Sequence, residues 1–126
     1  MSWSVLIVDD EPMTRDLLRL MLGTVGFRVW EAEDGLDALE KVKIQPPDVL
    51  LLDVMMPRMD GFTLCKMLRQ DETTAHLPII ILSARAHMEA VREGLDAGAT
   101  RYLPKPASRN DLIRNINEVL ADSLSA

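Results

Sequence analysis

The chain has 126 residues, of which 48% are apolar and 27% charged, with a single cysteine; this fits one domain with one core and needs no disulfide or structural metal. A formal net charge of -6 argues against a surface built on counterion release from nucleic-acid phosphates. The start Met1-Ser2-Trp3-Ser4 lacks the pattern of an export signal, and no apolar run approaches the roughly 18 residues of a membrane span, so a reducing cytoplasmic setting is expected.

Five β-rich runs punctuate the chain: Val5–Val8, Phe27–Ala32, Val49–Leu52, Ile79–Leu82 and the weaker Arg101–Leu103. The first, third and fourth are aliphatic without alternation. Neither face of such a strand can stand in water, so these three should be central in a parallel sheet covered on both sides. The second and fifth belong nearer the edges.

Helical periodicity fills the connections. Pro12 suits a first turn, and Met13, Leu17, Leu20, Met21 and Val25 form a stripe that ends near Gly23 and Gly26. Leu36, Leu39 and Val42 mark a second helix, stopped by Pro46-Pro47. Phe62, Cys65 and Leu68 mark a third after the turn at Asp60-Gly61, which makes Cys65 a buried apolar residue rather than a reactive thiol. Val91, Leu95 and Ala97 mark a fourth, with Gly98 as a left-handed C-cap and Gly94 weakening its middle. Ser108 with Asp111 resembles a capping box, after which Leu112, Ile113, Ile116, Val119 and Leu120 form a buried face. Strand followed by helix five times over is a doubly wound (βα)5 α/β pattern with right-handed crossovers and helices on both faces.

In such folds polar chemistry gathers at the carboxyl ends of the central strands. Strand one runs into Asp9-Asp10-Glu11, strand three into Asp53 and strand four into Ser83, while Lys105-Pro106 follows strand five. One Asp at a strand end is ordinarily a turn residue or a helix cap; four coincident strand ends point to a site. Adjacent carboxylates at Asp9, Asp10 and Asp53 repel by a few kcal/mol per close pair at an effective dielectric of about 20, so a cation belongs among them. All-oxygen ligands favour a hard ion that keeps some of its waters, and Mg2+ is the natural candidate. Lys105 adds a fixed positive charge.

Four strings carry a family resemblance: Leu6-Ile-Val-Asp-Asp-Glu-Pro12, Leu51-Leu-Asp-Val-Met-Met-Pro-Arg-Met-Asp-Gly61, Ile81-Leu-Ser-Ala-Arg85 and Gly98-Ala-Thr-Arg-Tyr-Leu-Pro-Lys-Pro106. In order and placement they resemble the receiver domain of two-component response regulators. The resemblance covers nearly the whole chain. It implies a flavodoxin-like sheet of order 2-1-3-4-5, a receiver domain over residues 1–121, and a tail, or the start of a linker to an output domain, over 122–126. It implies that Asp53 accepts a phosphoryl group from a histidine kinase or phosphotransfer protein, with Asp10, Asp53 and the Met55 backbone carbonyl on Mg2+ and Asp9 acting through a water. Lys105 would pair with the phosphoryl group or, before transfer, with Asp53. Ser83 would donate to a phosphoryl oxygen, and Tyr102 would turn inward from a solvent-facing position, changing the surface of helix four, strand five and helix five. Pro57, Gly61 and Pro106, the last after a cis peptide bond, would be structural.

The residues that tune phosphoryl lifetime in this family are Met55 and Arg85, and neither is a carboxylate or amide able to orient water; self-dephosphorylation over minutes or longer is expected. Thr100-Arg101 replaces a frequently acidic pair and should make the face near strand five more basic. His76 and His87 read as loop or helix-start residues, and Glu31, Glu33, Asp34 and Asp37 as a solvated face. Met55, Met56, Met59 and Met88 read as packing residues or a flexible partner rim. Two other readings remain open. A degenerate receiver that only docks partners would lack one of the site residues, all of which are present. A haloacid-dehalogenase-like phosphohydrolase would carry a second Asp where this chain has Met55, and would need length for a cap. No membrane contact and no direct nucleic-acid binding by this chain are expected, whereas a downstream protein partner and phosphorylation-dependent homodimerisation are left open.

Overall fold

A computed structural model describes residues 2–56 and 58–125. Five strands, β1 (Ser4–Val8), β2 (Arg28–Ala32), β3 (Val49–Leu52), β4 (Ile79–Ser83) and β5 (Arg101–Pro104), alternate with five helices, α1 (Pro12–Gly23), α2 (Gly35–Ile44), α3 (Gly61–Gln70), α4 (Met88–Asp96) and α5 (Arg109–Ser125). The sheet is parallel in the order β2-β1-β3-β4-β5, as the resemblance implies. Every residue of β1, β3 and β4 is buried, while β2 and β5 are mixed, which matches the aliphatic runs in the centre and the polar runs at the edges.

The pleat sends alternate side chains to two layers. Leu6, Val8, Leu50, Leu52, Ile79 and Ile81 meet Ala38 and Val42 of α2 and Phe62, Leu64, Cys65 and Leu68 of α3. Val5, Ile7, Val49, Leu51, Ile80 and Leu82 meet Leu18 and Leu22 of α1 and Leu112, Ile116, Val119 and Leu120 of α5. Burial raises the Cys65 thiol above its ordinary pKa, so it packs as an apolar residue.

Three helical stripes differ from the periodicity reading. On α1 the buried residues are Leu18 and Leu22, while Met13, Leu17, Leu20 and Val25 face outward. Apolar residues occupy more than half of the circumference there; Arg15 lies on the Leu18–Leu22 side, and its Nη1 donates to the Asp9 carbonyl at 2.6 Å. On α2, Ala38 and Val42 are buried and Leu36 is exposed. On α4 the inward residues are the small Ala90 and Gly94, with Leu95 outside. Gly98 takes φ +112° beyond the α4 C-cap. Nothing between Leu120 and Ser125 breaks a helix, and α5 continues through the segment expected as a tail; the Ser108 hydroxyl accepts the Asp111 N–H at 3.1 Å to start it.

Candidate functional site

Parallel register sets Val8 beside Leu52, so Asp9 and Asp53 leave the sheet side by side. The Asp53 N–H donates to the Val8 carbonyl at 3.0 Å and fixes the next step of β3. One carboxylate oxygen each from Asp9, Asp10 and Asp53 lies within 4.8 Å of the other two. Asp9 is buried, Asp10 is exposed, and Asp53 is half-buried. Lys105 Nζ stands 2.9 Å from Asp9 Oδ2 and 3.5 Å from Asp53 Oδ2, so the lysine expected on Asp53 is shared, and its shorter bond goes to Asp9. Asp9 Oδ1 also accepts the Glu11 N–H at 2.9 Å.

Burial raises the Asp53 carboxyl above the ordinary Asp range and the Asp9 charge adds to the rise, while Lys105 opposes it. Burial alone would lower the Lys105 ammonium, but its bond to Asp9 and the charge of Asp53 hold it above its usual value. An octahedral Mg2+ with bonds of about 2.1 Å puts its ligand oxygens about 3 to 4.2 Å apart. The three carboxylates, with no nitrogen or sulfur donor among them, need to close only slightly to fit such an ion.

A raised folded-state pKa means that the folded protein holds the Asp53 proton more firmly than the unfolded chain. That contribution to stability is complete below the ordinary Asp pKa and is lost as pH rises through the folded value. Asp53→Asn is therefore expected to stabilise the metal-free protein at neutral pH, with the gain shrinking as pH falls into the carboxylate range. Thermal melts of both proteins across that range test it; a gain that does not change with pH would refute the electrostatic origin.

Ser83, the last residue of β4, is buried, and its Oγ accepts the Arg85 N–H at 3.1 Å. Its carbonyl accepts the Lys105 N–H at 2.9 Å, which ties β4 to the lysine that follows β5. The Lys105–Pro106 peptide is cis. Tyr102 is half-buried: its ring packs against the α2–α3 layer, and its hydroxyl, at the exposed end, donates to the Arg85 carbonyl. Gly94 makes room for that ring, since a Cβ there would lie 2.6 Å from Tyr102 Cδ2. The glycine that weakens α4 on propensity is thus required by packing. Beside the acidic cluster opens a cleft of about 540 Å³ lined by Val54, Met55, Met56, Asp60, Phe62, Arg85 and Glu93; the two positions expected to tune phosphoryl lifetime, Met55 and Arg85, both line it. Asp60 caps α3, accepting the Thr63 N–H at 2.9 Å, and Gly61 follows against the Asp53 backbone. Pro57 lies outside the described residues.

Of the four acidic residues expected as a solvated face, Glu33 is exposed, while Glu31 and Asp37 are half-buried and Asp34 is buried. Glu31 accepts from Arg15 Nε at 3.0 Å and from Arg19 Nε at 2.7 Å. Asp34 is buried, caps α2 through the Asp37 N–H at 2.9 Å, and takes the guanidinium of Arg58. That N–H, with Arg58 beside it, holds the Asp34 carboxyl below its ordinary range. The spacing Asp34-Gly-Leu-Asp37 carried the capping signal; nothing in the sequence paired Asp34 with Arg58. The added basic charge at Arg101 is paired with Glu118 at 2.5 Å, and the same Nη1 donates to the Asn115 amide oxygen at 2.8 Å, because α5 packs alongside β5. His87 precedes α4 as its N-cap residue without a side-chain bond, and His76 is an exposed loop residue.

A family model described as the response regulator receiver domain matches residues 5–117. The response regulator MprA of Mycobacterium ulcerans is 44% identical over 120 residues, 95% of this chain and 51% of the relative. That of Mycobacterium leprae is 46% identical over 116 residues, 92% and 50%. The chain thus spans about half the length of the curated relatives it matches. Among solved structures, the chemotaxis response regulator CheY4 of Vibrio cholerae superposes with a TM-score of 0.89 at 34% identity, covering 94% of this chain and 99% of that one. The receiver domain of the sensor histidine kinase PA1611 from Pseudomonas aeruginosa, which has a magnesium ion coordinated in its active-site cleft, gives 0.89 at 30% identity, with 96% and 99% covered.

Proposed function

Because this chain belongs to the response regulator receiver domain family, we propose that it works as a phosphorylation switch in which Asp53 is the acceptor and Asp9, Asp10, Ser83 and Lys105 serve the transfer. The observation that carries this reading is the grouping of three carboxylates around one point with Lys105 Nζ bonded into them. An Asp53 oxygen attacks the phosphorus of a phosphohistidine in line, the O–P bond forming as the P–N bond breaks, and the electron pair leaves on the imidazole nitrogen. A carboxylate is a weak nucleophile, so positioning and charge neutralisation supply the rate.

Asp10, Asp53 and the Met55 carbonyl would hold Mg2+ directly, and Asp9 through a water. The ion, when bound, would offset charge on the transferring group. Lys105 is placed to release Asp53 and pair with a phosphoryl oxygen. Ser83 would leave the Arg85 N–H to donate its hydroxyl proton to another oxygen, and Tyr102 would turn further inward, changing the surface of α4, β5 and α5. The magnesium-bearing PA1611 receiver domain supports the cofactor assignment. Residues 1–121 make up the receiver unit and 122–126 lead toward an output domain or end a stand-alone regulator; the greater length of the MprA relatives favours the former. The partners are a histidine kinase or phosphotransfer protein, and the setting is the cytoplasm. Among the described residues no helix is long and apolar enough to cross a membrane.

Intact mass and size-exclusion chromatography with acetyl phosphate test this reading. A gain of one phosphoryl mass that requires Mg2+ and is absent from Asp53→Asn is expected, and the adduct should persist for minutes or longer after the donor is removed, since Met55 and Arg85 cannot orient water. No gain from acetyl phosphate or from a phosphohistidine donor would overturn the acceptor assignment; a lifetime of seconds would overturn the assignment of Met55 and Arg85. A shift in elution on phosphorylation would point to self-association.

A further inference from the structure

Among the described residues Arg58 is the one non-glycine with a left-handed backbone, φ 65°, a conformation that costs an L-residue about 1 kcal/mol or more. Something must hold it there. Its Nε donates to Asp34 Oδ2 at 2.8 Å and its Nη2 bonds the same oxygen. The acceptor is no mobile surface carboxylate: Asp34 is 3% exposed and its other oxygen is committed to the α2 cap. Next to it Met59 lies on Gly35, where a Cβ would sit 2.8 Å from that of Met59. Residues 58 and 59 are thus pinned to the start of α2.

The other end of the same connection is pinned to the sheet. The Asp53 N–H bonds the Val8 carbonyl, and the Gly61 N–H bonds the Val54 carbonyl at 2.9 Å. Between these anchors lies Met55, its side chain 62% exposed.

We propose that the Arg58–Asp34 pair is a positioning device for divalent-cation binding: it fixes the far limb of the β3–α3 connection that carries Met55, and so sets the affinity of the acidic cluster for Mg2+. The inference rests on the reading of Met55 as a backbone ligand. Groups that orient ligands without touching the metal commonly change affinity by tenfold or more, and a guanidinium with two N–H groups on one buried carboxylate oxygen is suited to the task because two donors in one plane fix direction as well as charge.

Mg2+ titrated calorimetrically into the metal-free protein tests it. Arg58→Gly accepts the backbone conformation and removes the pair, and Asp34→Asn keeps a capping oxygen while removing the charge. Each is expected to raise the Mg2+ dissociation constant roughly tenfold. The double variant should be no worse than the weaker single one, Arg58→Lys should restore part of the affinity, and phosphoryl uptake should recover at saturating Mg2+. A purely structural pair would lower the melting temperature and leave the constant unchanged, which overturns the inference. Wild-type protein that binds no Mg2+ would overturn the proposed function together with it, whereas wild-type binding with an unchanged constant in Arg58→Gly overturns this inference alone.

Discussion

Lys105→Met is expected to cut phosphoryl uptake on Asp53 by about a hundredfold or more while leaving Mg2+ binding as tight as in the wild type or tighter. Methionine keeps an unbranched apolar stem of similar reach, so the change falls on the charge. The lost ammonium sits 2.9 Å from Asp9 Oδ2 and 3.5 Å from Asp53 Oδ2. Without it three carboxylates face one another and a divalent ion becomes their main source of neutralisation; removing a like charge from beside a cation strengthens its binding. On the proposed function, the transferring phosphoryl group would lose a fixed partner for one of its oxygens, which no solvent cation replaces at the same position.

The same substitution separates the chemical role of Lys105 from its structural one. Asp9 is buried, and stripping its partner costs a metal-free protein about 3 kcal/mol; millimolar Mg2+ should return part of that by mass action. Calorimetric Mg2+ titration, urea melts with and without the ion, and the time course of mass gain from acetyl phosphate check the three parts. Uptake within a factor of about three of wild type would remove Lys105 from the transfer step, since a single oriented charge contributes well beyond that. A parallel loss of Mg2+ affinity and uptake would mean that the lysine organises the cluster instead.

The site was legible because its residues announce themselves by position. Asp9, Asp53 and Ser83 each terminate an aliphatic run, and an aliphatic run of four in a βα repeat has few places to go except the sheet centre; parallel pairing then aligns the strand ends. The outward stripes were harder to read. Helix α1 carries apolar residues on nearly every face, so periodicity alone could not choose between Met13–Leu17–Leu20 and Leu18–Leu22. Arg15 lies on the inward side, and its partner there, a backbone carbonyl six residues back, leaves no trace in residue types. Arg58 and Asp34 were missed for a related reason. Each looks like an ordinary loop charge, and their meeting depends on how the β2–α2 and β3–α3 connections come together above the sheet. Gly94 was read by propensity as a weakness, whereas its missing Cβ is filled by the Tyr102 ring of the next strand, a long-range fact.

Gly61 marks where packing of the fold and placement of Asp53 become one constraint. A Cβ built there would lie 2.5 Å from the Asp53 carbonyl oxygen and 2.8 Å from the Val54 Cα. Both are backbone atoms of the β3 end, so no side-chain rotation relieves the clash. The Gly61 N–H meanwhile holds the Val54 carbonyl at 2.9 Å, so α3 cannot withdraw without breaking that bond. Gly61→Ala is accordingly expected to destabilise the protein by about 2–3 kcal/mol and to weaken Mg2+ binding, because the relief must come from moving Asp53 itself. Gly23 is the matched control: nothing lies within 4 Å of its added Cβ and it closes α1, so Gly23→Ala should be neutral or gain about 0.5 kcal/mol. Urea melts of the two variants beside wild type, followed by Mg2+ titration, decide the matter. If Gly61→Ala melted with the wild type, β3 and α3 would have slack at this point, and the position of Asp53 would owe nothing to the glycine. If it lost stability but kept Mg2+ affinity, α3 would be the part that moves, and the end of β3 would be the stiffer of the two.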